Sequence, residues 1–183
     1  MNTNRLSKTI SAALNEQMTS EAHAAQIYLS YAAWLSNKGY DGIANFLFRH
    51  AGEERKHMMK ILEYILDRGA KVDIIAIPGP GTDPESVNDC FEKVFKHEVK
   101  NTDGIYKVVK MSLDEQDWAT WNFMQWFVKE QVEEENLASK LMNKIKIAGG
   151  EKAHPDALYN LDKDLAVAPD DAKAAETATA QNP

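Results

Sequence analysis

The sequence contains a single cysteine, Cys90, so the chain cannot form an internal disulfide. A lone cysteine is typical of a protein from a reducing compartment. The sequence also lacks any apolar run long enough to cross a bilayer, and its first residues lack the apolar stretch of a signal peptide. We therefore expect a cytoplasmic protein with no membrane partner.

Basic residues are also in short supply, since 21 Lys and Arg stand against 28 Asp and Glu, for a formal net charge of -7. Proteins that bind nucleic acid need a basic surface to contact phosphates. The charge balance therefore argues against a nucleic-acid partner, and an acidic surface attracts cations instead. With 183 residues, of which 44% are hydrophobic, the chain is long enough for one sizeable core.

Glycine and proline are scarce within four long segments whose apolar residues recur at helical spacing. These segments predict helices at about residues 4–37, 41–68, 86–115 and 117–148. The stretch between the second and third helices, 71–85, is instead rich in Gly and Pro, which predicts a loop. A loop of this length can travel the full length of the neighbouring helices.

The lengths of the predicted helices favour an all-α four-helix bundle. Helices of about 28 to 33 residues are roughly 40 to 50 Å long, so they must lie side by side. The short junctions near Gly39 and Asp114 predict two antiparallel hairpins, which one long crossover connects. We assign residues 1–150 to the bundle, 151–166 to a short fifth helix, and 167–183 to a flexible tail rich in Ala, Asp and Thr.

One stripe of each predicted helix is mostly apolar and is interrupted by a carboxylate. Steps of four and three residues along the second helix give Ile43, Leu47, His50, Glu54, His57, Ile61 and Tyr64. The same stepping along the other three helices meets Glu21, Glu98 and Glu134, the last of them one step after Gln131. Four carboxylates and His57 are thus expected to face one interior.

The energetics of burial indicate what this pattern is for. Burying one unpaired carboxylate costs several kcal/mol, and clustering like charges makes each harder to ionise. No Lys or Arg occupies the stripes near these positions. Two divalent cations would balance the charge of four carboxylates. Glu54 and His57 are three residues apart on one helix face, so both could bind the same cation. Oxygen-rich ligands with one imidazole suit Fe, Mn or Zn.

Each of these residues also has an ordinary structural interpretation. Glu21 could lie on the surface of a rotated helix, and His57 could be a hydrogen-bonded core histidine. Glu98 and Glu134 lie in charged runs of a kind that is usually solvated. A metal site is favoured because a carboxylate interrupts the apolar stripe on all four helices. We interpret His50 as a hydrogen-bonded packing residue, and we expect Tyr28 and Trp126 in the core.

Five stretches resemble the ferritins, and in detail the bacterial non-haem ferritins. They are LNEQMTSE (14–21), FLFRHAGEERKHM (46–58), FKHE (95–98), NFMQWFVKEQVEEE (122–135) and LYNLDKDL (158–165). The resemblance implies a dinuclear iron centre in which Glu21 and His57 hold one iron and Glu54 bridges the pair. Glu98 and Glu134 would hold the other iron, with Gln131 as a nearby or weak ligand. A third iron site would match three further residues: Glu53, Glu130 and Glu133.

The resemblance also implies a function. A ferritin oxidises Fe(II) with O2 and deposits ferric oxo-hydroxide inside a homo-oligomeric cage of twenty-four subunits. Haem is not expected, because Arg55 stands where the haem-binding relatives have methionine. Three alternatives stay open: a di-iron oxygenase acting on an organic substrate, a peroxide-consuming ferritin-like protein without storage, and a passive bundle with a vestigial site.

Overall fold

The computed structural model describes residues 3–167, and the predicted tail, 167–183, lies outside this range except for its first residue. Five α-helices follow one another: α1 (Lys8–Asn37), α2 (Asp41–Asp67), α3 (Val87–Asp114), α4 (Trp118–Ile147) and α5 (Pro155–Val167). A short 3-10 turn, Gly150–Lys152, lies between α4 and α5. No strand occurs within residues 3–167, so the all-α prediction is confirmed.

Side chains before the helices decide where two of them begin. Ser7 Oγ accepts a hydrogen bond from the Ile10 N–H at 3.0 Å, and Ser86 Oγ accepts one from the Asp89 N–H at 3.0 Å. The prediction that the first helix starts near residue 4 is wrong, because the Ser7 cap starts it at Lys8. The other three long helices begin and end within one residue of their predicted positions.

The four long helices form the predicted bundle. Helix α1 packs against α2 and α3, and α3 packs against α4. Residues 38–40 and 115–117 close the two hairpins, and the long segment 68–86 connects α2 to α3. Within the described residues, every helix is either too short or too polar to span a lipid bilayer.

The fifth helix packs across the start of α2. Asp162 Oδ1 accepts a hydrogen bond from the Ile43 N–H at 2.9 Å, which satisfies one of the free donors at the N-terminus of α2. The approach is close because residue 42 is glycine: a Cβ there would lie 1.8 Å from the carbonyl oxygen of Asp162. Gly42 therefore allows α5 to lie directly on the bundle.

Two apolar cores lie at opposite ends of the bundle. One contains Leu35, Ile43 and Phe91, with Leu141 and Ile145 of α4. The other contains, among others, Leu14, Ile61, Ile105, Met124 and Phe127. Between these two cores the buried residues of the long helices are mainly polar, so the bundle has a polar layer across its middle.

Candidate metal centre

The polar layer contains the residues at which the sequence interrupts each apolar stripe. Side chains from all four long helices meet there, and most are almost completely shielded from solvent. Their exposed fractions lie between 0% and 6% for Glu21, Glu54, Glu98, Gln131 and His57. Glu134 is 12% exposed. The expectation that these side chains face the interior is therefore confirmed.

Glu21, Glu54 and His57 form the first group of potential ligands. Each offers one ligand atom, and these atoms lie within 4.8 Å of one another. The Glu54 Oε2 atom is buried and has no hydrogen-bond partner within the described residues. Since buried polar atoms are normally paired, this oxygen has an unused capacity that a cation would satisfy.

The protonation states of this group also suit a cation site. Burial, together with repulsion from Glu98 and Glu21, raises the pKa of Glu54 well above its usual value. Burial lowers the pKa of His57, which keeps its imidazole neutral and able to act as a nitrogen ligand. In the absence of metal, Glu54 therefore holds its proton more tightly than an exposed carboxyl does, and a bound cation would displace that proton.

Glu98 lies on the other side of the layer, between Tyr28 and Gln131. The Tyr28 hydroxyl donates a hydrogen bond to Glu98 Oε1, and Gln131 Nε2 donates one to Glu98 Oε2 at 3.3 Å. Burial and the charge of Glu134 raise the pKa of Glu98 to about 7, although these two hydrogen bonds act in the opposite direction. Burial also raises the pKa of Tyr28, so its hydroxyl remains a donor.

Glu134 belongs to a second group of potential ligands, with His50 and Glu53. Their ligand atoms also lie within 4.8 Å of one another, and His50 Nδ1 is 3.3 Å from Glu53 Oε2 and 3.6 Å from Glu134 Oε2. Burial lowers the pKa of His50, but the hydrogen bond and charge of Glu134 outweigh this and raise it overall. His50 does pack on the Phe46 ring, 4.2 Å between centroids, yet it also brings a nitrogen donor to two carboxylates.

Glu130 and Glu133 lie near this second group but outside it. Burial, then the charges of Glu134 and Glu133, raise the pKa of Glu130 to about 7. Glu133 is exposed, and its Oε1 lies 3.7 Å from Lys129 Nζ. Of the three residues that the resemblance assigns to a third iron, only Glu53 joins a compact group among the described residues.

Sequence reasoning missed the amide side chains that hold Glu21. Gln17 Nε2 donates to Glu21 Oε1 at 2.8 Å, and Asn101 Nδ2 donates to Glu21 Oε2 at 3.0 Å. Both amides are buried. The sequence does contain a pattern that could have identified these amides. Asn101 interrupts the apolar stripe of α3 one step after Glu98, and Gln17 lies one turn before Glu21.

Trp126 does not lie in the core, contrary to the expectation from the sequence. Its ring is 36% exposed, because position 126 falls beside the buried stripe that contains Met124 and Phe127. The ring packs edge-on against His57 with 5.3 Å between centroids, and Lys60 Nζ lies 4.2 Å from its centroid. Trp126 therefore covers one side of His57, whereas Tyr28 is buried as expected.

The space beside the polar layer is small. A cavity of about 10 Å³ borders Glu98, Glu134 and His50, and apolar side chains such as Phe46 and Leu141 also line it. This volume is about that needed for one water molecule. The cavity fits a small reactant, and it is much smaller than the pockets that hold organic substrates.

Comparisons with known proteins agree with this geometry. Residues 11–148 match the ferritin-like domain profile of the Ferritin family. The chain is 38% identical over 158 residues to a bacterial non-heme ferritin of Campylobacter jejuni, covering 86% of this chain and 93% of that protein. It is 37% identical over 160 residues to a bacterial non-heme ferritin of Staphylococcus aureus, covering 87% and 95% respectively.

The fold itself has counterparts among solved structures. An open-pore ferritin from the hyperthermophilic archaeon Archaeoglobus fulgidus superposes with a TM-score of 0.85 at 36% sequence identity, covering 90% of this chain and 98% of that chain. Both the sequence profile and the fold thus identify the same family over most of the chain. The chain therefore belongs to the ferritin family.

Proposed function

We propose that this protein stores iron: it oxidises Fe(II) with O2 at a dinuclear centre in the polar layer and deposits ferric oxo-hydroxide inside a cage of identical chains. One observation supports the proposal above all. Carboxylates from four helices, three of them buried and that of Glu134 12% exposed, meet one neutral histidine between two apolar cores. A cluster of this kind is unfavourable when it is ionised, so its carboxyl groups either hold protons or bind cations.

The proposed ligand roles follow the two sides of the layer. Glu21 and His57 hold one iron, and Glu98 and Glu134 hold the other. Glu54 bridges them, because its Oε2 has no hydrogen-bond partner among the described residues and because Glu98 and Glu21 are both near enough to raise its pKa. The imidazole of His57 adds the one nitrogen donor.

Gln131 has a weaker role in this proposal. Its Nε2 donates to Glu98 Oε2 at 3.3 Å and to Thr102 Oγ1 at 3.1 Å, so the amide nitrogen faces the neighbouring side chains. Direct coordination would require the amide to turn its oxygen towards the metal. We assign Gln131 mainly to orienting Glu98.

The chemistry is a transfer of one electron from each Fe(II), so two Fe(II) ions reduce one O2 molecule by two electrons. Hard carboxylate oxygens favour Fe(III) over Fe(II), and this preference helps to drive the oxidation. Protons are displaced when the ions bind, since the pKa of Glu98 is raised to about 7 and that of Glu54 is raised well above its usual value. The small cavity beside Glu98 and Glu134 lies next to the proposed centre.

The second ligand group suggests where a third iron would bind. Glu134 is shared between the dinuclear centre and the group that contains His50 and Glu53, so an ion there would lie next to the centre. Glu130 and Glu133 extend this acidic surface along α4. We propose this group as a weaker site through which iron passes between the centre and the mineral.

Storage requires an enclosed space, which a single bundle does not provide. We propose that the chain assembles into a cytoplasmic cage of twenty-four subunits, as the family resemblance implies. The acidic net charge of -7 would attract Fe(II) to such a shell. Size-exclusion chromatography should show one large assembly; a stable monomer or dimer would contradict storage while leaving the dinuclear centre untouched.

Stopped-flow oxidation of Fe(II) by the metal-free protein tests the centre directly. The wild-type protein should oxidise two Fe(II) per chain in a fast, O2-dependent phase. Glu54→Ala should abolish this phase, because the bridging carboxylate is lost. The matched control is Glu63→Ala, which removes an exposed carboxylate from the same helix and should leave the rate unchanged. A Glu54→Ala variant with the wild-type rate would refute the bridging role.

The main alternative is a di-iron oxygenase that acts on an organic substrate. The cavity of about 10 Å³ argues against it, because a substrate would have to displace Phe46, Leu47 or Leu141 from a packed core. A peroxide-consuming protein without storage would oxidise Fe(II) with peroxide faster than with O2 and would leave no mineral. Comparing the two oxidants, and measuring mineral by light scattering, separates these cases.

A further inference from the structure

The amide groups around Glu21 form a cluster that the proposed reaction leaves without a role. Gln17 is 3% exposed and Asn101 is 1% exposed, and they come from α1 and α3 respectively. Burying two primary amides is unfavourable unless their donors and acceptors are satisfied. Their arrangement therefore reflects a specific set of hydrogen bonds.

The hydrogen bonds fix the orientation of both amides. Gln17 Nε2 donates to Asn101 Oδ1 at 2.7 Å as well as to Glu21 Oε1 at 2.8 Å. Asn101 Oδ1 also accepts from Ser20 Oγ at 3.4 Å, which leaves Asn101 Nδ2 directed at Glu21 Oε2, 3.0 Å away. Each oxygen of Glu21 thus receives one N–H, and each keeps a second lone pair that can face a cation.

A glycine on α3 makes space for this arrangement. A Cβ at Gly104 would lie 2.3 Å from Gln17 Oε1 and 3.3 Å from Gln17 Cδ. Glycine in a helix interior is less favourable than alanine, so its presence at this position has a cost in helix stability. A methyl group at this position would therefore force the Gln17 side chain to move.

We infer that Gln17 and Asn101 form an amide clamp that sets the orientation of the Glu21 carboxylate before metal binds, and that Gly104 makes room for the clamp. The inference rests on the proposed dinuclear centre and adds three positioning residues to it. None of the three touches the metal. They act through Glu21, so that the carboxylate does not have to be ordered when the ion arrives.

Anaerobic titration of the assembled, metal-free protein with Co(II) tests the clamp, with calorimetry for affinity and visible absorption for coordination. The wild-type protein should bind two Co(II) tightly per chain. Gly104→Ala should weaken one of the two sites by about 10-fold or more and alter its absorption spectrum, because the new methyl group displaces Gln17. The other site should keep its wild-type affinity.

The matched control is Gly52→Ala, which adds the same methyl group to α2 at a position with no atom within 4 Å. It should leave both affinities unchanged. In a Gln17→Ala background, Gly104→Ala should have no further effect on Co(II) affinity, because the side chain that it displaces is gone. A merely structural effect of Gly104→Ala would persist in that background.

Asn101→Asp tests the clamp without changing Gly104. It replaces the Nδ2 donor by an oxygen of almost the same shape, which faces Glu21 Oε2, and should weaken the same Co(II) site. If Gly104→Ala and Asn101→Asp both bind two Co(II) with wild-type affinity and spectrum, the clamp is refuted while the dinuclear centre stands. If the wild-type protein binds no Co(II), the centre itself is refuted, and the clamp with it.

Discussion

Raising the pH should destabilise the metal-free protein, and the contribution of Glu98 can be worked out from the structure. Burial and the charge of Glu134 raise the pKa of Glu98 from 4.5 to about 7. The folded protein therefore holds this proton more tightly than the unfolded chain does. The resulting stabilisation is complete below about pH 4.5 and is lost as the pH rises through about 7. At roughly 1.4 kcal/mol per pKa unit, the loss is about 3 kcal/mol.

Other groups in the layer modify this dependence without reversing it. Glu54 acts in the same direction, because its pKa is also raised. His50 does so too, since its pKa lies above its ordinary value. His57 opposes them below about pH 6.5, because burial lowers its pKa and the folded state resists its protonation. Above that pH, the carboxyl groups dominate.

Denaturant unfolding followed by circular dichroism measures the effect, in chelator-treated buffers between pH 5 and 8 at one protein concentration. The reference is Glu98→Gln, which keeps the shape of the side chain and removes its titration. Between pH 5 and 8 the wild-type protein should lose about 3 kcal/mol more of unfolding free energy than this variant. Equal pH dependence of the two proteins, or wild-type stability that rises with pH, would refute the reasoning.

Three further predictions follow from the same geometry. Gly42→Ala should displace α5 from α2, because its Cβ would collide with the carbonyl oxygen of Asp162, and limited proteolysis should then cut near residues 150–155 while the wild-type protein resists. The Cys90 thiol should react with a disulfide reagent only on unfolding, since burial raises its pKa to about 12; rapid reaction of the folded protein would contradict its burial. His50→Ala should lower the number of weakly bound Co(II) ions per chain and spare the two tight ones, and an unchanged isotherm would exclude His50 as a ligand of the second group.

Much of the fold could be predicted from sequence because the helices follow local rules. Helical periodicity and the Gly and Pro residues between 71 and 85 predict the bundle and its crossover. The sequence predicts too early a start for the first helix, because residues 4–7 carry no breaker and only the hydrogen bond from Ile10 to Ser7 shows where the helix begins. Glu21, Glu54 and Glu98 could be placed in the interior because a carboxylate on an apolar stripe is conspicuous.

The supporting residues could not be predicted, because their roles depend on contacts between helices. Gln17 gains its role from Asn101, which is 84 positions away in the chain. The helical periodicity of α3 does not indicate that Gly104 makes room for Gln17. The prediction for Trp126 is wrong for a related reason: its position lies at the edge of the apolar stripe, where a small rotation of α4 decides between core and surface.

The most direct test of the account is anomalous diffraction from crystals of the protein loaded with Fe(II) under anaerobic conditions, or with Zn(II) as a stable substitute. We predict two metal peaks within the polar layer, with the Glu54 carboxylate between them, Glu21 and His57 on one and Glu98 and Glu134 on the other. Crystals with full metal occupancy elsewhere but no peak beside Glu54 would contradict the dinuclear centre.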